Sequence, residues 1–356
     1  MSPPPRVSVV IATYGRPEKL LRLMERLADQ TLPSRDYEVV VVDDGSPEPM
    51  APHLEKLTTP FALHALVQAN AGPASARHRG IEVARGDLLV IIDDDMHIEP
   101  GFLEAHADHH PEGTRNVVLG PILPKDQPSG LPLLERYNHQ RLRRWSSEMA
   151  AGRATLLGTN VCTGNVSLRR ADYLAVGGFD PVLPLSEDAE LGLRLEAAGA
   201  ALVWAENAAV LHDSAHPDER WMARARRYGS IDLRIGRKHA DKAHADPWRY
   251  LFMLSSAARP LLAASALLPG VAGPASSVAL AAARLADRAG QEGPALRLAG
   301  LAYAIEYFRG IGLEAGTPAA ALRSAADYLE KIAGESGAPS GFGLAAVRAL
   351  GRMLDR

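Results

Sequence analysis

The chain has a single cysteine, Cys162, so neither an intrachain disulfide nor a multi-cysteine zinc site can form, and such usage suits a reducing compartment. Neither sign of charge dominates. The 39 basic residues face 42 acidic ones for a net charge of −3, which argues against a nucleic-acid binder, a more basic class. The start, Met-Ser-Pro-Pro-Pro-Arg, leads into a run of only six residues, Val7 to Ala12. A signal peptide needs a longer apolar core, so export by that route is not expected and a cytoplasmic location is. No G-x-G-x-x-G or G-x-x-x-x-G-K-[ST] fingerprint follows that run, which weighs against dinucleotide-binding and P-loop readings. The 356 residues suit one large α/β domain with an appendage.

What is present alternates strand with helix. Val7–Ala12, Glu38–Val42 and Asp87–Ile92 are apolar runs rich in β-branched residues, with a weaker strand near Leu63–Val67. Pro17 suits a first helical turn, followed by Leu20, Leu21, Leu23, Met24, Leu27 and Ala28 at helical spacing. A weaker helix is expected at about 50–57 and another over Gly72–Arg85. Apolar strands separated by helices predict a mostly parallel sheet covered on both faces, with ligands at the carboxyl ends of its strands. Three polar clusters fall at those ends: Thr13–Arg16, Asp43–Ser46 and Asp93–Asp95.

Three consecutive carboxylates after an apolar strand repel one another, and a hard divalent cation, Mg²⁺ or Mn²⁺, is their natural compensation. The competing reading is a solvated acidic turn. Continued strand alternation would send Asp93 and Asp95 to one side and Asp94 to the other.

Seven stretches in order carry a resemblance: Val9-Val-Ile-Ala-Thr-Tyr-Gly-Arg16, Val41-Val-Asp-Asp-Gly-Ser46, Asn70-Ala-Gly-Pro-Ala-Ser-Ala-Arg77, Gly86-Asp-Leu-Leu-Val-Ile-Ile-Asp-Asp-Asp95, Thr163-Gly-Asn165, Gly177-Gly-Phe-Asp180 and Glu187-Asp188. Over roughly residues 7–212 the chain resembles a family 2 glycosyltransferase of GT-A fold. The resemblance implies that Thr13, Tyr14, Arg16 and Asp44 hold the nucleotide base, with Asp44 able to accept a hydrogen bond from a pyrimidine N–H, which favours uracil. It places Arg77 near the nucleotide and leaves His78, where the family has Asn, unassigned. Asp93–Asp95 match the family's D-x-D motif: Asp95 on the metal, Asp93 and Asp94 on the ribose or a metal-bound water. Asp188 matches the family's catalytic base, with Glu187 supporting the loop or the acceptor. Gly164 and Asn165 fall on the acceptor side, and His212 matches a histidine on the metal or diphosphate. The expected activity is inverting transfer of a sugar from a nucleoside diphosphate, UDP-linked, to a hydroxyl acceptor on a glycan, lipid-linked sugar or small molecule. Nucleotidyl transfer, or a binding module of the same fold without turnover, are the alternatives.

From the residues themselves, Ser186 is expected as the N-cap of a helix running to Gly199, whose first turn carries Glu187, Asp188 and Glu190. His109 and His110, beside Pro111, read as surface residues. The expected catalytic domain is 1–215, with a nucleotide half of about 1–98 and an acceptor half of about 99–215, and a helical region over 216–356. Between Arg220 and Arg249 nine Lys or Arg meet three Asp, with Trp221, Tyr228 and Trp248 interleaved. Pro260–Ala283 then runs 24 residues without a charge, but Pro269, Gly270, Gly273 and Pro274 interrupt it, so two short helices are expected rather than one membrane span. Peripheral membrane contact through 220–312 and a soluble appendage packing Ala-rich faces are both open readings. Residues 297–312 read as a further helix, and 313–340, with several Gly and Pro, as loosely ordered.

Overall fold

The structure, a computed structural model, describes residues 4–125, 130–213 and 215–336. It divides into two compact units, Met1–Gln127 with Arg141–Ser214, and Pro128–Gln140 with Ala215–Arg356. Residues 130–140, expected with the first unit, thus group with the second.

In the first unit β1 (Val7–Thr13), β2 (Tyr37–Asp43), β3 (Ala62–Val67) and β4 (Leu88–Ile92) are joined through α1 (Pro17–Ala28), α2 (Ala51–Leu54) and α3 (Pro73–Val83). Next come β5 (Met96–Ile98), α4 (Phe102–Asp108), β6 (Asn116–Leu119), β7 (Ile122–Pro124) and α5 (Leu133–Ala150), a helix shared between the two units. The unit closes with β8 (Asn165–Arg169), α6 (Arg170–Ala175), α7 (Glu187–Ala197), β9 (Ala201–Trp204) and β10 (Val210–His212). Seven strands form one sheet in the order β3-β2-β1-β4-β8-β6-β9. Only β8 runs antiparallel to its neighbours, so the sheet is mostly parallel, as expected.

Alternation along the central strands divides the core between two faces. Val9, Ile11, Val39, Val41, Val90 and Ile92 pack with Leu20, Leu23, Met24 and Leu27 of α1 and with Phe102 of α4. Val10, Leu89 and Ile91 pack with Ile81 of α3 and Leu191 and Leu195 of α7. Helices thus cover both faces and leave the carboxyl ends of β1, β2 and β4 open for polar loops.

The strand geometry stops at Ile92, and Asp93–Asp95 form a turn that leads into β5. Alternation therefore does not carry into the triplet. A small second sheet, β5-β10-β7, sets His212 opposite Met96, and Asp213 N–H donates to the Asp95 carbonyl at 3.2 Å. Ser186 stands at the N-cap of α7 with φ 57°, in the left-handed region, and its side chain makes no capping bond there. His110, expected at the surface, is buried, with Nε2 2.8 Å from Ser167 Oγ.

The second unit holds residues 133–140 of α5 with α8 (Asp218–Lys238), α9 (Arg249–Met253), α10 (Arg259–Leu267), α11 (Pro269–Arg288), α12 (Glu292–Ala315) and α13 (Pro318–Ser336). The apolar α12 is its centre, packed by Ile305, Phe308 and Ile311 among residues of α10 and α11. Gly229 of α8 and Gly310 of α12 permit backbone contact: a Cβ on Gly229 would stand 1.8 Å from the Tyr307 carbonyl oxygen, and one on Gly310 2.0 Å from that of Arg226. The uncharged stretch does split at Leu268, but α11 continues through Gly273 and Pro274. Gly273 is tolerated because the Arg309 guanidinium takes the space a Cβ would fill. The loose stretch expected over 313–340 is corrected as well: α12 ends at Gly316, with φ 82°, and Thr317-Pro318 starts α13 at once. Residues 337–340 lie outside the described residues. No helix among the described residues is long and apolar enough to cross a membrane.

Candidate active site

The loop after β1 and the turn after β4 face each other. Thr13 Oγ1 donates to Asp94 Oδ2 at 2.7 Å, and Arg16 spans two carboxylates, with Nη2 2.7 Å from Asp94 Oδ1 and Nη1 2.5 Å from Asp95 Oδ2. Asp94 and Asp95 thus share one guanidinium, contrary to the expectation that they point apart. Tyr14 is half exposed beside them. Lys19, which sequence reasoning missed, lies one turn along α1 with Nζ 3.9 Å from Asp95 Oδ2. Its proximity follows from its place in the first turn of α1, three residues after the N-cap Arg16.

Asp43 and Asp44 are occupied by their own loops. Asp43 accepts from the Ser46 and Met50 N–H groups at 2.9 and 3.0 Å. Asp44 Oδ1 accepts from Gln68 Nε2 and Ala71 N, and Oδ2 from Gly72 N, all within 2.8–2.9 Å. The Asp44 carboxylate therefore ties the loop after β3 to the end of β2, with two donors on Oδ1 and one on Oδ2, which keeps a lone pair for a further donor.

Arg77, buried on α3, joins two distant segments. Its Nη2 donates to Asp93 Oδ1 at 2.6 Å and its Nη1 to Glu187 Oε1 at 3.1 Å. A Cβ built on Gly164 would lie 3.3 Å from Asp93 Oδ2, so this glycine lets the 162–164 turn close on the acidic turn. Asp188, next to Glu187, accepts from Thr163 N–H through Oδ2 at 3.2 Å and from Ala189 N–H through Oδ1 at 2.9 Å, and it stays partly exposed. His212 Nε2 stands 3.5 Å from Asp95 Oδ1. Asn165 is a correction. Its side chain is buried, Nδ2 donates to the Pro121 and Ala208 carbonyls at 3.2 and 2.8 Å, and Oδ1 lies 2.9 Å from His106 Nε2, so it holds the sheet together rather than facing an acceptor.

The carboxylates differ electrostatically. Burial pushes Asp94 up to about 7, against the pull of Arg16 and Thr13. Burial acts the same way on Asp95, but the hydrogen bond and charge of His212, with Arg16 and Lys19, bring it down to about 2. Burial and the neighbouring Asp188 charge raise Glu187 to about 7 despite Arg77. Burial would lower Arg77, but Asp93 and Glu187 outweigh it and hold the guanidinium more firmly protonated than usual.

Among the described residues no three His, Cys, Asp or Glu side chains converge into a cage for a cation. Asp95 and His212 make a pair, while Asp93 turns to Arg77. A hard carboxylate beside a borderline imidazole nitrogen suits Mn²⁺, and the carboxylate alone suits Mg²⁺, ions held by one or two carboxylates together with substrate phosphates and water rather than by an all-protein cage.

A mostly parallel sheet with helices on both faces and charged groups at its carboxyl rim is an open α/β arrangement of the kind a GT-A-type fold has. Residues 8–175 match the sequence model of the family described as Glycosyl transferase family 2. Validoxylamine A glucosyltransferase of Streptomyces hygroscopicus subsp. limoneus is 32% identical over 220 residues, which cover 55% of this chain and 49% of that protein. Pre-mycofactocin glycosyltransferase of Mycobacterium tuberculosis is 28% identical over 246 residues, 66% of this chain and 48% of that protein. A mannosyltransferase from Pyrobaculum calidifontis, solved with GDP-mannose and Mn²⁺, superposes with a TM-score of 0.50 at 15% identity, covering 99% of this chain and 81% of that one. Residues 8–175 are thus similar to glycosyl transferase family 2, and the chain spans about half the length of the curated relatives it matches.

Proposed function

We propose that the chain transfers a sugar from a nucleoside-diphosphate donor, UDP-linked, to a hydroxyl acceptor with inversion at the anomeric carbon, aided by Mn²⁺ or Mg²⁺. One observation carries this reading: the Arg77 guanidinium bonds both Asp93 of the acidic turn and Glu187, the neighbour of Asp188. Leaving-group end and base end are thus parts of one site, although nearly a hundred residues separate them in sequence.

In this reading the nucleotide lies over the carboxyl ends of β1 and β2, between Tyr14 and the 68–72 loop that Asp44 holds in place. The metal ion would be held by Asp95 and His212, with Asp93 nearby, and would neutralise charge developing on the departing diphosphate. The Thr163 and Ala189 N–H groups aim the Asp188 carboxylate, whose oxygens retain lone pairs for the acceptor hydroxyl proton. A single base opposite the leaving group gives direct displacement and hence inversion. Gly164 keeps the floor beside Asp93 free of side-chain bulk. The first unit would hold this chemistry, and the second would make peripheral contact with the cytoplasmic face of a membrane, supported by apolar side chains exposed along α11.

Asp188→Asn tests the base. It keeps the size and one of the two backbone N–H contacts, since the amide nitrogen cannot accept, and it removes proton affinity, so turnover should fall by about 10²–10⁴-fold. UDP binding, measured by calorimetry, should stay near wild type. Normal turnover in this variant would refute the assignment.

A further inference from the structure

Resting on the metal-assisted reading above, we propose that Arg16, backed by Lys19, is a built-in counter-cation for Asp94 and Asp95 that a divalent metal ion must displace, so that the metal loads tightly only together with a diphosphate. Both oxygens of Asp95 are already partnered, Oδ1 by His212 Nε2 at 3.5 Å and Oδ2 by Arg16 Nη1 at 2.5 Å. The second arm of the same guanidinium reaches Asp94 Oδ1 at 2.7 Å. A divalent ion on Asp95 would sit within a few ångströms of this fixed charge, and like charges at that range repel strongly where water is scarce.

The two sides of the contact differ in freedom. The Asp94 and Asp95 side chains are 0% and 8% exposed and are fixed by the turn, whereas the Arg16 side chain is 42% exposed. Arg16 is the N-cap residue of α1, with φ −133° and ψ 56°, outside the helix proper, and the preceding Gly15 has φ 65°. The arginine is therefore the partner that can leave. Lys19 is anchored differently: its Nζ donates to the Asp213 carbonyl at 2.5 Å and adds charge 3.9 Å from Asp95 Oδ2 without closing on it. A diphosphate offers Arg16 a bidentate anion of higher charge than either carboxylate. Moving the guanidinium to the phosphate would free Asp95 Oδ2 for the metal in the same step.

Titration of Mn²⁺ followed by its free-ion EPR signal, with and without UDP, tests this on the full chain. Wild type should bind Mn²⁺ weakly alone and about tenfold or more tightly with UDP. Arg16→Gln should bind Mn²⁺ alone about tenfold more tightly than wild type and lose most of the UDP enhancement, and Arg16→Lys, which keeps the charge but not the two-armed fork, should fall between wild type and Arg16→Gln. Urea unfolding in chelator gives a second readout: Arg16→Gln should have a lower midpoint that Mn²⁺ restores, while wild type responds little to Mn²⁺ alone. If Arg16→Gln does not fold, Lys19→Gln carries the test, with tightening in the same direction but smaller. Mn²⁺ binding to wild type with UDP, but equal or weaker Mn²⁺ binding to the uncharged variant alone, would overturn the inference and leave the metal-assisted reading standing. No Mn²⁺ binding to wild type under either condition would remove both.

Discussion

At the scale of single residues, Arg77 concentrates the most consequence in one side chain. It is buried, and it neutralises Asp93 and Glu187 from two separate segments. Removing one member of a buried charge group leaves its partners uncompensated, at a cost of about 3–5 kcal/mol. Arg77→Met, similar in length but without charge, should therefore lower the unfolding free energy by about 3 kcal/mol in a urea titration. Adding Glu187→Gln should recover part of that loss, and a purely additive double variant would show that the pair is not coupled. Arg77, the acidic turn and the Glu187–Asp188 pair could be read from sequence because each lies at the end of a strand or within the first turns of a helix, where pattern marks position. Asp44 and Asn165 could not. The Asp44 partners come from 24 to 28 residues further on, and Asn165 meets carbonyls and an imidazole from other elements, contacts that leave no mark in local spacing.

At the scale of elements, long periodic segments were legible and short ones were not. β1, β2 and β4 declare themselves because each is buried on both sides and so carries an unbroken central run of apolar residues. The three-residue strands β5, β7 and β10 carry too few side chains to show a period, yet they are what carries His212 to Asp95. α11 has a pattern whose meaning changed once the fold was known. Its Val271, Val278 and Leu285, at seven-residue spacing, are 64%, 70% and 65% exposed, so they form a stripe that the described residues of the chain do not cover. If this stripe enters a lipid interface, burying each side chain partway contributes about 1 kcal/mol. The triple change Val271→Ser, Val278→Ser and Leu285→Ser should then reduce co-sedimentation with anionic vesicles on the order of a hundredfold. Equal partitioning of variant and wild type would sink the membrane proposal and leave the catalytic one untouched.

At the scale of the whole molecule, two sets of buried titratable groups pull acid stability in opposite directions. His106 and His110 both lie 2.8 Å from Ser167 Oγ, and His106 Nε2 meets Asn165 Oδ1 at 2.9 Å. Because Asn165 Nδ2 already donates to two carbonyls, its Oδ1 must accept, so His106 Nε2 donates. His106 Nδ1 then accepts from the Ser167 hydroxyl, and His110 Nε2 donates to it. A further proton would add a buried charge on either ring: on His110 Nδ1 it meets no acceptor among the described residues, and on His106 Nδ1 it would displace the Ser167 hydroxyl proton from that contact. Accordingly, burial and neighbouring positive charge hold His106 down to about 4 and His110 to about 3. The unfolded chain takes up these protons below pH 6.5 while the folded chain does not until pH 3–4, so each histidine lowers stability by about 1.4 kcal/mol per pH unit as pH falls through that window. Asp94 and Glu187 act with the reverse sign: with folded values near 7 they take up protons before the unfolded chain does, and stability rises on acidification over the same range. Wild type should therefore show a shallow profile between pH 7.5 and 5.5 in the presence of chelator. In the double variant His106→Gln with His110→Gln only the carboxylate contribution remains, so its stability deficit relative to wild type should narrow by about 2.5 kcal/mol across that interval. Urea midpoints at pH 7.5, 6.5 and 5.5 measure it. A deficit that does not change with pH would mean that the histidines bind protons equally in the folded and unfolded chain, and the neutral chain from Asn165 to His110 would have to be abandoned.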